Sequence, residues 1–202
     1  MKMKRIFLIL SFAVSCFSLS MAQSAKDVLD KCAATVSSKE GVSANFQMES
    51  AQFGNATGKI SVKGQKFYAS TAVATMWFDG KTQWTYLQKN NEVSVTTPTE
   101  AQLQALNPYN FINMYKKGFK YTMTTSANAY TVHLTAEDPN RKVQELFITV
   151  DKKAYTPTEV KMRQGNKWTT FVISNLKATA LDDGVFRFNS KDFPTAEVID
   201  LR

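Results

Sequence analysis

Residues 42–50 read VSANFQMES. Ala44, Phe46 and Met48 are apolar at every second place, and Asn45, Gln47 and Glu49 fill the places between. Successive side chains on a strand point to opposite faces, so this stretch is a strand with one apolar and one polar face. The same period of two returns along the chain. Ile60 and Val62 alternate with Ser61 and Lys63, Trp84 and Tyr86 with Thr85, and Val93 and Val95 with Ser94. Turn-forming pairs punctuate these runs: Gly54-Asn55, Gly64-Gln65, Asp79-Gly80 and Asn90-Asn91. Further strands are expected around Phe119–Met123, Tyr130–Leu134, Leu146–Val150, Val160–Met162 and Trp168–Asn175, with Phe186 and Phe188 closing the series. About eleven strands without βαβ alternation predict a mainly β fold: an incomplete antiparallel β-barrel with short helices.

Upstream of residue 42 the period is helical. Ser24 is a cap with Asp27 three residues on, and Val28, Leu29, Cys32, Ala33 and Val36 fall on one stripe. Before that, Lys2, Lys4 and Arg5 precede an apolar run from Ile6 to Leu19, and Ser20-Met21-Ala22 offers small residues for a signal peptidase. Residues 1–22 therefore predict a secretory signal peptide cleaved after Ala22, leaving one domain over 23–202 that is exported to the periplasm. The run is too short for a comfortable membrane span. Cleavage ahead of a lipidated Cys16 is the competing reading, but Ala13 stands where a large aliphatic residue is usual.

The middle of the chain interrupts the strands. Thr97-Pro98-Thr99-Glu100 has a cap, a proline at the first helical position and an acid three residues after the cap. Asn107-Pro108 starts a second helix in the same way, ending at Lys116-Lys117 and Gly118. The apolar residues of these helices, Leu103, Leu106, Phe111, Ile112 and Met114, need an apolar surface to cover. The concave side of the sheet is the natural one, which makes them a lid.

Catalytic chemistry finds little foothold. His133 is the one histidine, between Val132 and Leu134 on the polar face of its strand. No acid–base dyad, metal-ligand cluster, nucleophile elbow or phosphate loop is visible. The formal net charge is +8, with 25 Lys and Arg against 17 Asp and Glu. The basic residues are scattered rather than interleaved with stacking aromatics, so no nucleic-acid surface is expected. No enzyme, no metal and no cofactor are expected. The abundant material is apolar and aromatic: Phe46, Met48, Ile60, Val62, Phe67, Met76, Phe78, Trp84 and Tyr86 form a candidate cavity lining for a lipid. Periodicity alone leaves open whether they line a cavity or fill a core.

The stretch Asp79-Gly80-Lys81-Thr82-Gln83-Trp84-Thr85-Tyr86, followed by Glu92-Val93-Ser94-Val95, resembles the signature of the periplasmic outer-membrane lipoprotein carriers of LolA type. Ala44-Asn45-Phe46-Gln47, Gly58-Lys59-Ile60-Ser61-Val62, Tyr155-Thr156-Pro157 and Phe193-Pro194 fall in the family's order. The resemblance implies a half-barrel with a helical lid. It implies a carrier that takes acylated lipoproteins from an inner-membrane ATP-driven transporter to an outer-membrane acceptor; a monomer is expected. Gly64 and Gln65 stand where the family has an arginine-proline pair that helps hold its lid. A carrier of another amphiphile, such as a glycolipid or fatty acid, and an envelope interaction protein with a filled core are the alternatives.

Overall fold

The computed structural model describes residues 24–52, 54–99 and 114–202. The signal-peptide segment and the lid residues Leu103, Leu106, Phe111 and Ile112 lie outside the described residues. Among the described residues, one α-helix, α1 (Ala25–Val36), precedes twelve strands. These are β1 (Val42–Ser50), β2 (Gly54–Lys63), β3 (Lys66–Thr71), β4 (Ala74–Phe78), β5 (Gln83–Leu87) and β6 (Glu92–Thr96). After the middle segment come β7 (Phe119–Thr125), β8 (Ala129–Ala136), β9 (Glu145–Asp151), β10 (Pro157–Gln164), β11 (Lys167–Ala178) and β12 (Glu197–Asp200).

All twelve belong to one sheet, in the order β12-β6-β5-β4-β3-β2-β1-β11-β10-β9-β8-β7. Hairpins build each half, and the antiparallel pairing of β1 with β11 joins them. A sheet this wide accumulates twist and curls, giving the open, incomplete barrel. A register shift between Ser43 and Asn45 in the central pair is the kind of irregularity that bends a strand.

The close of the chain corrects the sequence reading. Phe186 lies in a 3-10 turn (Asp183–Phe186) and Phe188 in no strand. The last strand is β12, which pairs parallel to β6. The segment leading into β12 crosses the outer face of the sheet. Phe188 and Phe193 each set their rings edge-on to Trp77 at 5.6 Å, and Phe193 lies 4.7 Å from Tyr86. Val93 and Val95 are buried on the same face.

Helix α1 forms as its sequence requires. Ser24 Oγ accepts from the Asp27 amide at 3.1 Å, and the Asp27 carboxylate accepts in return from the Ser24 amide at 3.3 Å. Its stripe of Val28, Leu29, Cys32, Ala33 and Val36 is buried against β7–β10, among Val132, Leu134, Leu146 and Ile148. The Cys32 thiol is fully enclosed, and burial pushes it up to about 12, so it is no nucleophile at neutral pH. The Asp79-Gly80 turn is likewise as read. Gly80 takes φ +101°, and Asp79 Oδ1 accepts from the amides of Lys81 (3.0 Å) and Thr82 (2.9 Å). Among the described residues no helix is long and apolar enough to cross a membrane.

Candidate functional site

Among the described residues the concave face is only partly filled. Helix α1 covers the β7–β10 half, while a second, smaller core of Val42, Val62, Phe67 and Phe78 closes one end of the other half. Between them lies a cavity of about 400 Å³. Its wall comes from the inner faces of β1–β4, β10 and β11 and from Val36 at the end of α1.

Strand register explains which residues reach it. Phe46 pairs with Ile173 on one side and Gly58 on the other, and Met48 pairs with Phe171 and Ala56. Ile60 continues through Ala69 to Met76. Paired residues face the same side of a sheet, so these rows form one continuous apolar wall. Gly58 has a role here: a Cβ at that position would lie 2.9 Å from the Phe46 ring and 2.2 Å from the Ser70 carbonyl oxygen. The missing side chain lets the Phe46 ring settle over the strand.

Of the residues expected to line the cavity, Phe46, Met48, Ile60, Val62 and Met76 do so. Phe67 and Phe78 do not. Their rings, 5.6 Å apart, are buried in the closed end behind Val42 and Val62, with 0% and 2% of their surface exposed. Trp84 and Tyr86 are also placed elsewhere. Trp84 pairs with Trp77 and Tyr86 with Val93, on the outer face beneath the C-terminal segment. Met114 packs against the core that holds α1. Lining residues that the sequence did not assign to the cavity include Val36, Val160, Met162, Phe171 and Ile173. Val36, Val160 and Met162 carried a visible apolar period, but only the β1–β11 pairing brings the later strands against Phe46 and Met48.

Two polar clusters lie outside the cavity wall. The Tyr115 hydroxyl donates to the Asp30 carboxylate, which Lys26 also pairs at 2.6 Å. This ties the chain just before β7 to α1. Burial, then the bond to Asp30, pushes the Tyr115 hydroxyl up. On the outer face, Glu145 accepts from Arg163 at 2.5 Å and contacts His133 at 3.1 Å. Arg163 first, then His133, holds its carboxyl below the ordinary range. His133 stacks on Phe147 at 4.1 Å, a strand residue with partners and away from the cavity wall. Among the described residues no group of three His, Cys, Asp or Glu side chains could hold a metal ion.

The family model described as outer membrane lipoprotein carrier protein LolA matches residues 14–166. No curated protein is similar enough in sequence to match. Among solved structures, an uncharacterized conserved protein from Thermus thermophilus superposes with a TM-score of 0.59 at 13% identity, covering 88% of this chain and 99% of that one. A LolA superfamily protein from Nitrosomonas europaea gives 0.45 at 10% identity, covering 83% and 99%. The Mycobacterium tuberculosis lipoprotein LppX gives 0.42 at 9% identity, covering 79% and 99%. Identities this low speak to fold alone. The family model describes carrier proteins. With most of its length matched by the family model and a single curled twelve-stranded sheet, the chain belongs to the outer membrane lipoprotein carrier (LolA) family, as a divergent member.

Proposed function

We propose that this protein is a periplasmic carrier that shelters the acyl chains of lipoproteins in its concave cavity and conveys them from the inner to the outer membrane. The observation that carries the reading is the unfilled apolar wall between α1 and the β1–β4 half of the sheet. A wall of Phe, Met, Ile and Val left open to a cavity forgoes burial that a filled core would gain, and a bound acyl chain restores it. Each buried methylene contributes about 0.8 kcal/mol, so a long chain brings on the order of 10 kcal/mol. The cargo would enter from an inner-membrane ATP-driven transporter, and release would run downhill to an outer-membrane acceptor that binds more tightly. No catalysis and no cofactor form part of this role. In the same reading, residues 1–22 direct export, and the segment holding Leu103, Leu106, Phe111 and Ile112 covers the cavity.

An environment-sensitive hydrophobic dye tests the reading. It should bind the folded protein saturably at micromolar concentration, and a long-chain acylated peptide should displace it. A folded protein that takes up neither dye nor acylated peptide would sink the proposal.

A further inference from the structure

The cavity is chemically graded along the strands. At one end the wall is Val36, Val42 and Val62, backed by Phe67 and Phe78. At the other end, where β1 turns into β2 and β10 into β11, it becomes polar: Gln52, Gln164, Thr169 and Lys142. From Val62 to Ala56 the β2 wall extends about 20 Å at a rise of ~3.3 Å per residue, the scale of one extended long acyl chain. Among the described residues, Lys142 is the one ionisable side chain in the wall. The nearby acid of β9 is already engaged, since Glu145 serves Arg163 and His133 on the outer face. Asp138, on the same loop as Lys142, accepts from the Asn140 amide at 2.9 Å.

Building on the carrier reading, we propose that the cavity takes its ligand in one direction. The tail runs towards Val36 and Val42, and an anionic head, phosphate or carboxylate, sits at the β1–β2 end against Lys142. A neutral head of the same chain length loses the ammonium contact and retains the apolar one. Lys142 is a specificity-determining residue on this account, because the chain's burial is common to both ligands and only the head distinguishes them.

The experiment compares 1-palmitoyl lysophosphatidate and palmitate with 1-palmitoylglycerol, which shares the chain but has no charge. Displacement of a bound hydrophobic dye gives each affinity, for the wild type, Lys142→Gln, Lys142→Glu and Lys142→Arg. The wild type should prefer the anionic ligands by about tenfold, the worth of one charge-assisted hydrogen bond. Lys142→Gln should erase that preference, Lys142→Glu should invert it, and Lys142→Arg should preserve it. Equal affinity of the wild type for charged and neutral ligands, or a preference untouched by Lys142→Glu, would overturn the head assignment and leave the carrier reading standing. Absence of saturable binding by all three ligands to a folded wild type that still takes up acylated peptide would overturn this assignment alone, whereas failure with dye and acylated peptide as well would overturn the carrier reading with it.

Discussion

Phe46→Glu should weaken acyl-chain binding by about a hundredfold, while Trp84→Glu should leave it within a factor of about two. The two residues look alike in the sequence, each an aromatic on an alternating strand. The structure separates them. Phe46 stands in the cavity wall, its ring 6.5 Å from that of Phe171 and settled over Gly58. A carboxylate there removes aromatic surface from the wall and must be desolvated whenever a chain enters. Trp84 lies on the other side of the sheet, beside Trp77. A charge at that position disturbs the outer aromatic layer and costs stability, but the cavity does not feel it. Dye displacement on both variants, with circular dichroism to establish that each is folded, reads the difference. Equal losses in the two would mean that the ligand sits on the outer face.

Phe67→Ala should cost about 3–5 kcal/mol of stability, the usual range for deleting an enclosed phenylalanine. Phe67 is fully buried, in register with Val62 on one side and Phe78 on the other, and Val42 completes the packing. Nothing adjacent is free to collapse into the space, because the strands are fixed by their ladders. At this chain length the loss corresponds to a drop of about 10 °C or more in Tm. Affinity for an acyl chain should change far less in the protein that remains folded, since the ring lies behind the wall. Calorimetry and dye titration on the same sample distinguish the two effects. A stable variant with weakened binding would show that Phe67 faces the ligand after all.

The strands were legible because their period of two is a local property. The capping box of α1 and the Asp79-Gly80 turn were legible for the same reason, each being decided by a few neighbouring residues. The face a strand presents is not local. In β4 the sequence Thr75-Met76-Trp77-Phe78 is apolar on both sides, so alternation cannot say which side is concave. Met76 and Phe78 point inwards and Trp77 outwards only because of how β4 pairs with β3 and β5. Trp84 and Tyr86 were set in the cavity for want of that information. The outer face gave no warning, because the aromatics that cover it, Phe188 and Phe193, lie a hundred residues downstream, and Phe188 reads with Phe186 as a final strand. The second wall was hidden for a related reason. Phe171 and Ile173 meet Met48 and Phe46 through a pairing between strands more than a hundred residues apart. Parallel pairing of β12 with β6 is of the same kind.

The most direct measurement is native mass spectrometry of the protein isolated, without detergent, from the periplasm of the cell that makes it. The mature chain should begin at Gln23 and carry bound mass, and dissociation should release an acylated polypeptide. Phe46→Glu, isolated in parallel, should arrive empty. Wild-type protein that is consistently unliganded, in cells where the lipoproteins still reach the outer membrane without it, would contradict the carrier role.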